Sequence, residues 1–143
     1  SHKYAQRQWH LADDKTLCYH ELGDFDRAML AVIKAEPNFA KLPVREIWHD
    51  DADQVLAYMR GRLLFVFNFS PTKSFVDYGF LVPKGSYNVV LNSDSKDFGG
   101  FGFADDAMTH FTNFDPLYEK VGKEWLKLYI PARSAVVLRR NDE

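Results

Sequence analysis

The spacing of apolar residues along the chain changes near Pro37. Before it, they recur at steps of three and four positions, the spacing of one helix face. These residues are Leu22, Phe25, Met29 and Ile33. After Pro43 the period becomes two, which is typical of β-strands with one side facing a core. The pattern therefore predicts a helical N-terminal part followed by a β-rich part.

The N-terminal part contains signals for two helices. Asp13 and Asp14 can cap a first helix over residues 15–22. Gly23 suits the position just after its end, and Asp24 can cap a second helix that Pro37 ends. The alternative is one longer helix that carries Gly23 at a cost of about 1 kcal/mol.

The β-rich part contains several strand-like runs separated by turn residues. In residues 63–69, one face carries four apolar side chains and the other carries Leu64 and Val66, so this strand should be central and covered on both sides. Three further runs are expected to present one apolar face each. These faces comprise Val55, Ala57 and Met59; Val76, Tyr78, Phe80 and Val82; and Tyr87, Val89 and Leu91. Two closing strands are expected over residues 125–130 and 135–138, separated by Pro131.

Together these elements predict a mainly β fold, an antiparallel Greek-key β-sandwich preceded by two α-helices. The helices are too few to cover the sheet, so their apolar faces are expected to need a partner that this chain lacks. The chain has 143 residues. A whole (β/α)₈ barrel needs about 200–250 residues, so this chain cannot contain one.

Composition narrows the function classes. The formal net charge is −2, which argues against an electrostatic nucleic-acid binder. The single Cys18 excludes a disulfide framework and a cysteine-based zinc site. No apolar run approaches the roughly 20 residues that span a bilayer, and no secretion signal opens the chain. We therefore expect no membrane contact and a cytoplasmic location.

The candidate metal and catalytic sites lack the residue types or the spacing that such sites need. His49, Asp50, Asp51 and Asp53 look like a metal cluster, but aspartates between two strand-like runs are typical of turns. A calcium loop counted from Asn92 would place a phenylalanine where a bidentate glutamate belongs. There is no Gly-x-Ser-x-Gly motif. We expect no catalytic residue, no metal and no cofactor.

Aromatic residues are the remaining signal, at 15% of the chain. Most phenylalanines fall on the inward side of strands and belong to the predicted core. Phe98, Phe101 and Phe103 instead lie in a glycine-rich loop, and Trp125 shares an outward strand face with Tyr129. Flat aromatic faces suit sugar rings, so these four residues, Phe98, Phe101, Phe103 and Trp125, are the predicted substrate contacts. The alternative is that they pack against a domain absent from this chain.

Several ordered motifs resemble 1,4-α-glucan branching enzymes, most closely the eukaryote-like branch, over nearly the whole chain. The N-terminal motifs resemble the last barrel segment of that family, and the later ones resemble its C-terminal all-β domain. The former are residues 4–9 (YAQRQW), 11–14 (LADD) and 24–29 (DFDRAM). The latter are residues 64–78 (LFVFNFSPTKSFVDY), 91–94 (LNSD), 98–100 (FGG) and 129–133 (YIPAR).

The resemblance implies a division at residue 43. Residues 1–43 would be the terminal helical segment of a catalytic (β/α)₈ barrel, and residues 44–143 the C-terminal all-β domain. The family cuts α-1,4 links and forms α-1,6 links in glycogen synthesis by a retaining mechanism. Its catalytic carboxylates lie in the barrel, before Ser1, and none maps onto this chain.

The resemblance thus implies a non-catalytic accessory domain that braces its own barrel and contacts α-glucan or glycogen. Two other functions stay open from the residues alone: a free-standing carbohydrate-binding module, and a protein-interaction sandwich. Without the barrel, the apolar helix face of Leu22, Phe25, Met29 and Ile33 would lose part of its cover. We therefore expect the isolated chain to self-associate.

Overall fold

The computed structural model describes residues 19–95 and 107–142, with side chains described from residue 24 onward. Within these residues, one helix, α1 (Tyr19–Lys34), is followed by a short 3₁₀ turn (Phe39–Lys41) and eight strands. The strands are β1 (Val44–Asp50), β2 (Val55–Arg60), β3 (Leu63–Asn68), β4 (Phe75–Pro83), β5 (Ser86–Asn92), β6 (Thr109–Phe111), β7 (Lys123–Ile130) and β8 (Ser134–Arg140). A second 3₁₀ helix (Pro116–Val121) precedes β7.

The strands form two antiparallel sheets. Six lie in the order β1-β2-β3-β8-β5-β6, and the other two, β4 and β7, pair with each other. The late strand β8 lies between β3 and β5, the non-sequential order expected of Greek-key connections. The predicted antiparallel β-sandwich is confirmed. The strand-like run expected before the aspartates is β1, which is largely exposed. The edge strand β6 was not predicted, because it has only three residues.

Two apolar layers lie on opposite sides of the six-stranded sheet. Between the sheets, residues such as Leu64 and Val66 of β3 pack against Phe80 of β4 and Leu126 of β7. On the other side, Leu63, Phe65 and Phe67 of β3 belong to a second cluster with Phe25 of α1. The prediction that this strand is covered on both faces is confirmed, since all six of its residues are buried.

Helix α1 supplies the second cover. Phe25 is fully buried, and Ala28, Met29 and Val32 pack against the same cluster. The expected break at Gly23 is wrong, because α1 continues through it. The alternative of one longer helix fits the described residues, and the packing of Phe25 accounts for this, since tertiary contacts outweigh the modest helix penalty of glycine. The predicted start of the first helix lies outside the described residues.

Two strand faces differ from the prediction because of bulges. In β4 the pairing shifts between Phe75 and Tyr78, and Asp77 has φ 54°. Val76 is consequently 75% exposed, and Phe75 packs against the core instead. In β5 the pairing shifts between Val89 and Leu91, so Leu91 lies in the cluster under α1 while Tyr87 lies between the sheets. An alternating pattern cannot reveal a bulge.

Within residues 19–95 and 107–142, no helix is long and apolar enough to cross a membrane.

Candidate functional site

The junction between α1 and the six-stranded sheet is built around a buried carboxylate. Glu36, just after the helix, is 7% exposed. Its Oε2 accepts a hydrogen bond from Arg62 Nε at 2.9 Å, and its Oε1 accepts one from Arg139 Nε at 2.6 Å. Arg62 lies in the β2–β3 turn and Arg139 on β8, so one side chain joins the helix end to two parts of the sheet. We call these three residues the Glu36 junction.

The electrostatics of the Glu36 junction favour the ionised carboxylate. Burial alone raises the pKa of Glu36, but the hydrogen bonds and positive charges of Arg62 and Arg139 outweigh it and hold the pKa below its usual range. The same carboxylate raises the pKa of Arg62. Arg62 Nη1 also donates to Asp142 Oδ2 at 2.9 Å, which ties in the C-terminal end.

Arg60 holds the segment between α1 and β1. Its Nε donates to the carbonyl oxygen of Leu42 at 2.9 Å, and its Nη2 to that of Ala40 at 2.8 Å. Its guanidinium carbon lies 4.9 Å from the centre of the Phe39 ring, within cation–π range. Arg60, Arg62, Phe39 and Glu36 line a cavity of about 420 Å³. These charged groups are already paired within the chain. The residues around the cavity therefore connect the helix end to the sheet and are not left available for a ligand.

Sequence reasoning missed the Glu36 junction. Its charged residues are separated by 26 and 103 positions along the chain, and each looks like an ordinary surface residue in its local segment. The one available signal was Arg62, an arginine between two expected strands, and this is too common to identify a partner.

Trp125, the one predicted sugar contact within the described residues, lies on the outer face of the two-stranded sheet. Its Nε1 donates to Asp115 Oδ2 at 2.9 Å, and its ring meets Tyr118 edge to face with centroids 5.9 Å apart. A β-carbon added to Gly79 would lie 3.4 Å from Trp125 Cε3, so the indole passes close over that glycine. These contacts hold the ring rigidly while leaving it partly exposed.

Asp115 supports the Trp125 ring and the following 3₁₀ helix together. Besides accepting from Trp125, it accepts a hydrogen bond from the backbone N–H of Leu117 at 3.0 Å. These two bonds lower the pKa of Asp115, so it is ionised at neutral pH. Phe98, Phe101 and Phe103 lie outside the described residues, so their predicted contact with a sugar stays a prediction.

Asp51 and Asp53 lie in the turn between β1 and β2, as the sequence indicated, and Asp50 is the last residue of β1. Asp50 Oδ1 accepts a hydrogen bond from the backbone N–H of Asp53 at 2.9 Å. His49 contacts Glu46, three residues earlier on β1. Among the residues that the structure describes, no group of three or more His, Cys, Asp or Glu side chains could hold a metal ion.

Comparison with known proteins agrees with this architecture. The family model described as alpha amylase, C-terminal all-beta domain, matches residues 47–141. The chain is 39% identical over 150 residues to a 1,4-alpha-glucan-branching enzyme of Yarrowia lipolytica, 40% over 139 residues to one of Saccharomyces cerevisiae, and 36% over 149 residues to one of Equus caballus.

These alignments cover 100%, 96% and 99% of this chain but only 21%, 20% and 20% of the three relatives. The chain thus spans about a fifth of their length. All three are eukaryotic proteins, in agreement with the resemblance to the eukaryote-like branch. The family match covers all strands from the middle of β1 to the end of β8. The chain belongs to the family of alpha amylase C-terminal all-beta domains.

Proposed function

We propose that this chain is the C-terminal part of a 1,4-α-glucan-branching enzyme, with a non-catalytic role in bracing the catalytic barrel. The similarity to enzymes of that name over nearly the whole chain supports the proposal. In the parent enzyme, barrel carboxylates would cut an α-1,4 link and transfer the glycosyl group to a sugar 6-hydroxyl with retention. This chain would supply none of those carboxylates.

The Glu36 junction is the observation that carries the bracing role. If α1 is the terminal helix of the barrel, its position on the β domain is set by a buried charged group with two arginine partners. Charge-assisted hydrogen bonds of this kind are stronger and more directional than neutral ones. The apolar contacts of Phe25 add area to the same interface. Together they would make barrel and β domain one rigid unit.

The test uses the complete reading frame that contains this segment. Purified protein from that frame should lower the iodine absorbance of amylose as branches form, whereas the 143-residue chain alone should not. Glu36→Gln in the complete protein should lower its thermal midpoint and its activity after heating, and exposed Glu119→Gln should leave both unchanged. A frame without a barrel, or a complete protein without branching activity, would refute the proposal.

Glucan contact by this domain is a second part of the proposal, and the rigid Trp125 ring favours it. A fixed, partly exposed indole presents an apolar face to a sugar ring at little entropic cost. In native gels containing glycogen, the chain should migrate more slowly than in sugar-free gels, and soluble maltooligosaccharide should reverse the delay. Unchanged migration would remove glucan contact and leave the bracing role.

The alternative is a free-standing carbohydrate-binding module. The same gels, together with the reading frame, distinguish it from a part of a branching enzyme. It requires retardation by glycogen together with a frame that encodes no barrel. A cytoplasmic location and self-association of the isolated chain remain predictions. Phe25 is fully buried by this chain's own sheet, so it does not contribute the exposed surface on which self-association was predicted.

A further inference from the structure

A second tryptophan, outside the predicted contacts, lies at the edge of the sandwich. Trp48 is on β1, the end strand of the six-stranded sheet, and is 46% exposed. Its backbone pairs with Ala57, whose side chain faces the space between the sheets. Trp48 therefore reaches across the open side of the sandwich towards β4 and keeps nearly half of its surface in solvent.

A chain of hydrogen bonds fixes the orientation of this indole. Trp48 Nε1 donates to the hydroxyl oxygen of Tyr78 at 3.0 Å, and that hydroxyl donates to Asp53 Oδ2 at 2.9 Å. Burial, with the negative charge of Asp53, raises the pKa of Tyr78 to about 12, so its proton stays in place at neutral pH. The indole N–H of Trp48 therefore has its acceptor within the protein, and the exposed part of the side chain is the apolar ring.

Carboxylate oxygens lie beside the ring. Trp48 and Asp50 are two residues apart on one strand, so their side chains leave β1 on the same side. Asp50 and Asp53 each use one oxygen in the bonds above. In residues 19–95 and 107–142, their second oxygens, Asp50 Oδ2 and Asp53 Oδ1, have no hydrogen-bond donor.

An exposed apolar ring with adjacent carboxylate acceptors fits a neutral polyol. Sugar C–H groups pack on an aromatic face, and sugar hydroxyls donate to carboxylates in charge-assisted hydrogen bonds. A phosphate or other anion would be repelled by the aspartates. We propose that Trp48, Asp50 and Asp53 form a binding site for an α-1,4-glucan chain. The identity of the sugar rests on the proposed function; the site is separate from Trp125.

The test follows tryptophan indole N–H signals in an NMR spectrum of the ¹⁵N-labelled chain during titration with maltoheptaose. Trp48→Phe and Trp125→Phe assign the signals. We expect the Trp48 signal and the backbone amide signal of Asp53 to move saturably, with no such movement when cellohexaose, a β-1,4 glucan, replaces maltoheptaose. Saturable movement of the Trp125 signal alone, or no movement, would overturn the proposal.

Variants measure the contribution of each group by calorimetric titration with maltoheptaose. Trp48→Ala should weaken binding about tenfold or more, whereas Phe111→Ala, which removes a 72% exposed ring from the opposite edge strand, should leave binding unchanged. Equal weakening by both would refute the site. If Trp48→Ala does not fold, Tyr78→Phe keeps the core ring and removes only the hydroxyl that orients Trp48. It should weaken binding severalfold, and unchanged affinity would count against the proposal.

The outcomes separate this site from the proposed function. A complete protein that branches amylose, with a Trp48 signal that maltoheptaose does not move, would overturn only the Trp48 site. A Trp48 signal that moves in a protein whose reading frame lacks a barrel would retain the site and remove the branching-enzyme assignment.

Discussion

Glu36 is the side chain that makes the charged contacts of the helix–sheet junction. Glu36→Gln keeps the size and one acceptor but removes the charge that two arginines share. We expect the free energy of unfolding to fall by about 1.5–3 kcal/mol at pH 7, the range for hydrogen bonds to charged groups. Chemical denaturation of both proteins measures it, with exposed Glu119→Gln as the control. A loss no larger than that of the control would contradict it.

The same variant has a defined pH dependence. The folded-state pKa of Glu36 is lowered, so its stabilisation is present above the unfolded-state pKa and is lost as pH falls through the folded-state value. The difference in unfolding free energy between wild type and Glu36→Gln should be constant from about pH 6 to 8 and shrink below about pH 4. A difference that grows in acid would mean that the carboxylate is not stabilised by its arginine partners.

Asp115 holds Trp125 through a single oxygen. In Asp115→Ala, the indole N–H loses that acceptor, so its proton resonance should move upfield and its ring should show broader signals. The backbone N–H of Leu117 loses its cap in the same variant. Asp142→Ala, which removes an exposed carboxylate elsewhere, is the control for the spectrum. An unmoved Trp125 resonance would show that Tyr118 and the Gly79 contact suffice to place the ring.

Among the elements, the β2–β3 hairpin has a two-residue turn. Arg60 pairs with Leu63, which leaves Gly61 and Arg62 as a two-residue loop, and Gly61 has φ 61°. A β-carbon at Gly61 would lie 2.7 Å from Leu42 Cδ1. Gly61→Ala should therefore combine backbone strain with a displaced neighbour, and lower the unfolding free energy by about 1–3 kcal/mol.

Gly122→Ala is a matched control for Gly61→Ala. Gly122 has φ 69°, and an added β-carbon there meets nothing within 4 Å. It should show the backbone strain alone, so thermal or urea unfolding should rank Gly61→Ala as the more destabilised variant. Equal losses would mean that the Leu42 side chain moves aside freely.

At the level of elements, the sequence predicts a strand or helix and its buried face correctly wherever the local apolar pattern and the packing agree. Strand β3 is apolar on both faces, and both faces are covered. Val76 was predicted to face the core but is exposed, because a bulge in β4 shifts residues to the opposite face of the strand without changing the sequence pattern. Helix α1 passes through Gly23 because its packing, invisible to propensity, outweighs one glycine. The Glu36 junction depends on contacts between distant positions, which no local pattern encodes.

At the scale of the whole molecule, α1 packs on one face of the six-stranded sheet as well as leading into β1. The boundary predicted at residue 43 assigns the helix to the barrel and the sheet to a separate domain. Yet the cluster under α1 includes buried residues from four strands, β2, β3, β5 and β8. A domain cut at that boundary would lose Phe25 and the other α1 side chains that pack on this face, and exposed apolar patches of more than a few hundred Å² are rare on soluble monomers.

The corresponding prediction concerns a chain of residues 44–143. We expect it to aggregate or to bind an apolar dye, whereas the 143-residue chain stays folded, because the shorter chain leaves the Phe65 and Phe67 face without Phe25. Phe25→Ala in the 143-residue chain is the graded version, with an expected loss of about 3–5 kcal/mol. Sedimentation and urea unfolding measure both. A monomeric, cooperatively folding 44–143 chain would mean that the helix contributes attachment and not cover, and the interface would then depend on the polar contacts of Glu36 and Arg60.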